Sequence, residues 1–215
     1  LIHNSSKMYR RTLLLAAVIV MAVSLSAQFY TTAEQMKSHV HILASDSLLG
    51  RGFGTPQGLE AAHFIADQFE KAGIEPLDGH YLHPFNHRQG ILNIPGNNVV
   101  GLVRGNNTEL NEEYIVLGAH YDHLGWKIVG GDTVVYNGAD DNASGSSSII
   151  EIGRNLAERQ GELGRSVVLV CFDGEESGLI GSTHFLSDSM VPPHQVKLMF
   201  SLDMVGMVEA HKGLD

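Results

Sequence analysis

Cysteine is almost missing from this chain. Cys171 is the single one in 215 residues, so no disulfide can form within it. Basic residues are scarce as well: 14 Lys and Arg stand against 24 Asp and Glu, a formal net charge of −10 with histidine neutral. That argues against a nucleic-acid binder, which usually presents a basic patch to phosphate. No apolar run is long enough for a bilayer. Leu13–Val23 spans eleven residues, where a membrane helix needs about 20. The glycine-rich stretch from Leu48 to Pro56 lacks the Gly-Lys-Ser/Thr ending of a phosphate loop, and no strand precedes it. What remains is an ordinary globular balance, 43% apolar and 18% charged, at the length of one domain with a sizeable core.

The N-terminus reads as an export signal. Met8 is followed by Arg10 and Arg11, then by the apolar run, then by Ser24-Leu25-Ser26-Ala27. This is the grammar of a signal peptide over residues 1–27, with residues 1–7 upstream of the start and cleavage after Ser26 or Ala27. The expected destination is the periplasm or the exterior; the alternative is an uncleaved N-terminal anchor. A single globular domain is expected over 28–215, and its last residues, Lys212 to Asp215, show no feature of a natural terminus.

Within that domain, apolar spacing predicts a helix over 31–44 on the stripe Met36, Val40 and Leu43. A second helix is predicted over 57–72, with Leu59, Ala62, Ala66, Phe69 and Ala72 inward and Gly73 as its stop. Residues 76–97 read as loop with one edge strand. Short apolar runs at 98–103, 114–119, 167–172 and 198–202 read as strands, the last three covered on both faces. Ser144–Arg159 reads as a helix capped by Ser144, with Ile149, Ile152 and Leu156 buried. Strands alternating with helices predict a three-layer α/β/α sandwich with a mostly parallel, mixed sheet.

Three of these strands end in residues able to bind metal or move protons. His120 follows the second, Asp173-Gly174-Glu175-Glu176 the third and Asp203 the fourth. In open α/β sheets ligands bind beyond the C-terminal strand ends, so parallel strands would bring these groups together. Asn137 to Gly145 adds Asp140 and Asp141 in a turn that opens a helix, whose N-terminal dipole favours ionised carboxylates. Asp, Glu and His without cysteine suit zinc or another borderline divalent ion. Asp140 is the expected bridge between two metals. Of the Glu175–Glu176 pair, one carboxylate can meet a cation while the other serves as a base. Asp122, two residues after His120, is placed to orient the imidazole. The other histidines and Cys171 read as structural, and His123 as a pocket wall.

Four ordered segments carry a resemblance: His120-Tyr121-Asp122-His123, Gly138 to Gly145, Phe172 to Ser182, and Leu202 to Gly206. Together they resemble the co-catalytic two-zinc aminopeptidases of the bacterial leucyl aminopeptidase, aminopeptidase S and aminopeptidase Y type, over roughly residues 31–210. The resemblance implies hydrolysis of N-terminal peptide bonds on peptide or protein substrates. It places His120 and Asp203 on one zinc, Asp140 between the two, Glu176 on the second, Glu175 as general base and Asp122 behind His120. It puts Asp141 beside the bridge, in an Asp140–Asp141 bond that is often cis in such enzymes. The family takes its last ligand, a histidine, from farther downstream, so the second site is expected to be one ligand short and the chain to bind that metal weakly, with little activity. The rivals are a single-zinc glutaminyl-peptide cyclotransferase and a catalytically silent binding ectodomain on the same scaffold. Dipeptidase and carboxypeptidase activities stay open. No nucleic-acid partner is expected, and no membrane contact beyond the leader.

Overall fold

The computed structural model describes residues 33–188 and 190–207; the leader expected over 1–27 lies outside them. The chain divides into two compact units, 1–38 and 39–215. Of the first, residues 33–38 are described and are helical. In the second the helix runs on to residue 43, closing α1 (33–43). Among the described residues no helix is long and apolar enough to cross a membrane.

Helix α2 (Pro56–Lys71) begins where its sequence provides for a start. The Thr55 hydroxyl accepts from the Gly58 amide at 3.1 Å, and Pro56 fills a first-turn position that needs no donor. Gly73, at φ +73°, stops it. Ala61, Ala62, Ile65, Ala66 and Phe69 face inward, whereas Leu59 is exposed.

Among the described residues six strands form the main sheet: β1 (Glu75–Pro76), β2 (Leu82–Gln89), β3 (Leu92–Val103), β4 (Tyr114–His120), β7 (Ser166–Phe172) and β8 (Val196–Ser201). The order is β1-β3-β7-β4-β8, with β2 also paired to β3. β7–β4 and β4–β8 are parallel, and β3 runs antiparallel to its neighbours. Helices α2 and α3 (Gly145–Glu158) pack on one face of this sheet and α4 (Ile180–Ser187) on the other. Side-chain alternation splits the strands between two cores. Val99, Val103, Val167, Leu169 and Cys171 join the α2–α3 side, while Val100, Leu102, Val168, Val170 and Phe172 meet Phe185 of α4. This is the expected three-layer α/β/α sandwich with a mixed sheet, but the sheet is not mostly parallel: among the described residues two of its strand pairings are parallel and three antiparallel, because β3 opposes every neighbour.

Several local expectations are corrected. Residues 76–97 hold the end of β1, all of β2 and the first half of β3 rather than one edge strand, because these strands are only partly covered and their apolar pattern is weak. Strand β8 lies at the sheet edge and is not covered on both faces: Leu198, Met199 and Phe200 are about half exposed. Ile152 is also exposed. Ser144 does not cap α3. It sits in helical backbone at the end of a π-turn (Ala139–Ser144), and its hydroxyl donates back to the Asp140 carbonyl at 2.7 Å. A separate hairpin, β5 (Trp126–Val129) with β6 (Asp132–Val135), was not anticipated, since nearly all its residues are exposed.

Candidate metal centre

The parallel run of β7, β4 and β8 sets three chain segments at one sheet edge: the end of β4, the acidic turn after β7 and the segment after β8. His120 closes β4 and is buried. Its Nε2 lies 3.2 Å from Asp141 Oδ1, 3.6 Å from Asp203 Oδ1 and 3.9 Å from Glu175 Oε2. Its Nδ1 faces the Asp122 carbonyl at 3.1 Å and the Asp122 carboxylate at 3.6 Å. Asp122, fully buried, also accepts from the amides of Glu175 (3.0 Å) and Glu176 (3.3 Å). One carboxylate thereby ties the imidazole to the acidic turn.

Burial lowers the proton affinity of His120, but the Asp122 hydrogen bond and the charges of Asp122, Glu175 and Asp203 outweigh it and raise its pKa to about 9. Burial raises the Glu175 carboxyl above its ordinary value. His120 opposes that shift, and Asp122, Glu176 and Asp203 add to it. Beneath the turn, burial pushes Asp173 up to about 7 while its Oδ2 accepts from the Asn97 amide at 3.0 Å.

The segment 139–145 does two jobs with alternate residues. Asp141 points between the two histidines, with Oδ2 3.9 Å from His123 Nδ1 and Oδ1 at His120. Its neighbours turn the other way. Asp140 Oδ1 accepts from the Gly206 amide at 2.8 Å. Asn142 donates to the Leu202 carbonyl at 2.9 Å and accepts from the Met204 amide at 3.3 Å, and Ser144 Oγ accepts from the Val205 amide at 3.1 Å. These three residues clamp the segment that carries Asp203. Gly145 follows because a Cβ there would strike the Asn142 side chain and the Leu202 carbonyl. The cis bond is Asp141–Asn142, not Asp140–Asp141.

Asp140 therefore stands outside both groups of potential ligands that the structure assembles. These are His120, Asp141 and Asp203, and His123, Asp141 and Glu176, each with donor atoms within 4.8 Å of one another. Asp141, expected beside the bridge, is the shared member. His123, expected as a pocket wall, is the second surprise: its Nδ1 lies 2.6 Å from Glu176 Oε1. The available signal was the spacing of His120 and His123, three residues apart at a strand end.

Arg51 underlies the whole arrangement. It is fully buried, and its guanidinium donates to the carbonyls of Tyr121 (2.7 Å), Leu43 (2.6 Å), Asn137 (2.6 Å) and Gly138 (2.9 Å). Tyr121 belongs to one ligand-bearing segment; Asn137 and Gly138 lead into the other. Burial lowers the Arg51 pKa to about 10 against the pull of Asp122, Asp141 and Glu176.

The donor set fits a divalent cation. Carboxylates of Asp122, Asp141, Glu175, Glu176 and Asp203 surround two imidazoles, and a buried cation beneath them, Arg51, directs its bonds to carbonyls. Oxygen and imidazole without sulfur suit zinc or a similar ion, and such an ion would relieve the carboxylate repulsion.

A centre of this composition lies beyond the C-terminal strand ends, where open α/β sheets bind ligands, and the comparisons name the family. Residues 98–212 match the model of peptidase family M28, and the chain belongs to that family. Leucine aminopeptidase 1 of Uncinocarpus reesii is 29% identical over 170 residues, covering 74% of this chain and 39% of that protein. The chain thus spans about two fifths of the length of the curated relatives it matches. Among solved structures, a glutaminyl cyclase of Bacteroides thetaiotaomicron bound to N-acetylhistamine superposes with a TM-score of 0.63 at 19% identity, over 81% of this chain and 62% of that one. A Zn-dependent exopeptidase of Parabacteroides distasonis gives a TM-score of 0.60 at 17% identity and the same coverages. At these identities the superpositions show the shared fold.

Proposed function

We propose that this chain carries the reaction centre of an aminopeptidase that hydrolyses N-terminal peptide bonds with two zinc ions. The observation that carries this reading is the pair of three-residue groups sharing Asp141. His120, Asp141 and Asp203 would hold one ion, and His123, Asp141 and Glu176 the other. With His123 in that role each site would have three protein groups, where the sequence led to the expectation of a second site one ligand short. The name of the exopeptidase neighbour and the donor chemistry both support zinc.

When bound, the ions supply Lewis acidity at the scissile carbonyl. The protein's own part falls to Glu175. It borders the first group without belonging to either, and its raised pKa suits a carboxylate that takes a proton from the attacking water and passes it to the leaving amine. Asp122 holds the amides of Glu175 and Glu176 and so sets the base against the ligands. An amino-terminal substrate fits the charge. The groups acting on Glu175 are His120 and the three carboxylates of Asp122, Glu176 and Asp203, a negative surround that suits an ammonium. Export through the leader expected over 1–27 belongs to the same reading.

The test is a metal count on zinc-saturated, desalted protein together with hydrolysis of leucine p-nitroanilide. Two zinc ions per chain are expected. Glu175→Gln should keep both and lose about 10²–10⁴-fold in rate. One ion with pyroglutamate formation from glutaminyl peptides would favour the cyclase alternative, and no tightly bound ion would overturn both.

A further inference from the structure

The β5–β6 hairpin stands apart from the main sheet, and among the described residues each of its strands pairs with the other alone. Its shape is fixed at both ends. Gly130 and Gly131, at φ +64° and +99°, make the two-residue turn that joins the strands. At the base the Tyr136 amide donates to the Gly125 carbonyl at 2.9 Å and the Gly125 amide to the Gly50 carbonyl at 3.1 Å, while Lys127 Nζ lies 4.9 Å from the Tyr136 ring centroid. The register sets Lys127 opposite Val134 and Val129 opposite Asp132. Counting in alternate residues from the Gly125–Tyr136 bond, these are the hydrogen-bonded pairs. The N–H and C=O groups of Trp126 and Ile128 therefore turn outward from the hairpin, as do those of Thr133 and Val135 on β6. Strand β5 is exposed along its whole length. Trp126, Ile128, Val129 and Val134 are between 38% and 58% exposed, so the fold gains little from their apolar surface.

We infer that the outward edge of β5 takes the residues of the peptide substrate that follow the scissile bond, paired to it as an extended, parallel strand. The inference rests on the aminopeptidase reading above. Strand β5 starts at the metal centre: Trp126 lines a cavity of about 330 Å³ together with His123 and Glu176 of the second ligand group. No other β5 residue lines it, so the strand leads away from the centre toward Val129. A substrate whose amino terminus sits at the metals leads its chain away in the same sense. Four residues of strand reach about 13 Å, room for a short run of extended peptide. The outward amides and carbonyls of Trp126 and Ile128 are the donors and acceptors that an added strand needs. The other outward edge is less suited, because Val135 is half-buried and does not line the cavity. Main-chain pairing is blind to side-chain identity, so this edge gives a preference for chain length rather than for sequence.

The experiment titrates the zinc-loaded Glu175→Gln chain, which should bind without turnover, with leucine amide and with Leu-Ala-Ala-Ala amide. Affinities come from calorimetry, and Trp126, the only tryptophan in the chain, reports occupancy of the hairpin by its emission. The tetrapeptide should bind about tenfold or more tightly than leucine amide, from main-chain hydrogen bonds alone. The same peptide N-methylated at its third and fourth residues cannot donate to the edge, and should fall to within about threefold of leucine amide. Ile128→Pro removes an outward N–H and no bond of the hairpin ladder, and should remove the gain. Thr133→Pro does the same on the β6 edge and should leave the gain in place. Equal affinities for the two ligands, an N-methylated peptide that binds as tightly as its parent, or a gain that survives Ile128→Pro would each overturn the inference. So would self-association of the chain that Ile128→Pro abolishes, since the edge would then belong to a second copy. The zinc count keeps the two readings apart. Zinc and leucine amide bound without a gain from length remove the hairpin's role and leave the peptidase; a chain that binds no zinc removes the peptidase, and the inference with it.

Discussion

Arg51→Met should cost this fold about 3–5 kcal/mol. The side chain is fully buried and donates to four backbone carbonyls at 2.6–2.9 Å. Hydrogen bonds from a charged donor contribute about 1.5–3 kcal/mol each, so the gross loss is about 6–12 kcal/mol. Two effects offset part of it. Burial depresses the Arg51 pKa from 12.5 to about 10, which corresponds to about 3 kcal/mol of charge-burial cost that methionine escapes. The Asn137 and Gly138 bonds are also only part-buried, so water can take over some of their role. The carbonyl loss still wins, because the backbone acceptors remain after the cation has gone. For a chain of this size the expected fall in melting temperature is about 10–15 °C. The assay is thermal and urea unfolding in excess chelator, which keeps metal linkage out of the comparison. Arg51→Lys keeps the charge but not the fork, and should recover less than half of the loss. A methionine variant that melts within about 2 °C of the parent would refute the reasoning, since it would mean that the four carbonyls find other partners at no cost.

Two further expectations concern the metal centre. Asp141→Asn should abolish tight binding of both ions by metal analysis, whereas Asp140→Asn should keep them and lower stability by about 1–2 kcal/mol through the Gly206 contact; the opposite pattern would restore Asp140 as the bridge. In chelator, His120 should make stability depend on pH: its folded pKa of about 9 lies above the ordinary 6.5, so its contribution is fully present below 6.5 and is lost as pH rises through 9. The urea midpoint should therefore fall across that interval by the equivalent of about 3 kcal/mol at most, and His120→Gln should flatten the fall. Zinc requires the neutral imidazole, so its affinity should climb by about tenfold per pH unit over the same interval; a zinc affinity independent of pH there would show that His120 is not a ligand.

The strands that carry the site were legible because each is an apolar run that stops at a polar residue. Burial of β4 and β7 from two helical layers makes such runs, and parallel pairing brings their ends together. The choice between Asp140 and Asp141 was not legible. It depends on a turn in which Gly138 is left-handed and Asp141 extended, and on an amide donor at Gly206, 66 residues away. Periodicity carries no information about either. His123 escaped for a similar reason. It lies beyond the regular strand, where alternation no longer fixes direction, and its amide bond to the Arg51 carbonyl helps hold it at Glu176. The hairpins β2–β3 and β5–β6 were hidden by partial exposure, which erodes the contrast between faces.

The alternation within 139–145 constrains how this segment can drift in evolution. Asp140, Asn142 and Ser144 grip the segment after β8 that carries Asp203, while Asp141 faces the histidines. A substitution can weaken one contact and leave the others standing. Gain or loss of a single residue would instead exchange the gripping set for the facing set, pulling a carboxylate out of the centre and releasing the neighbouring segment together. The length of this turn is therefore under tighter restraint than most of its individual letters, and variants of the chain should differ here in spelling long before they differ in count.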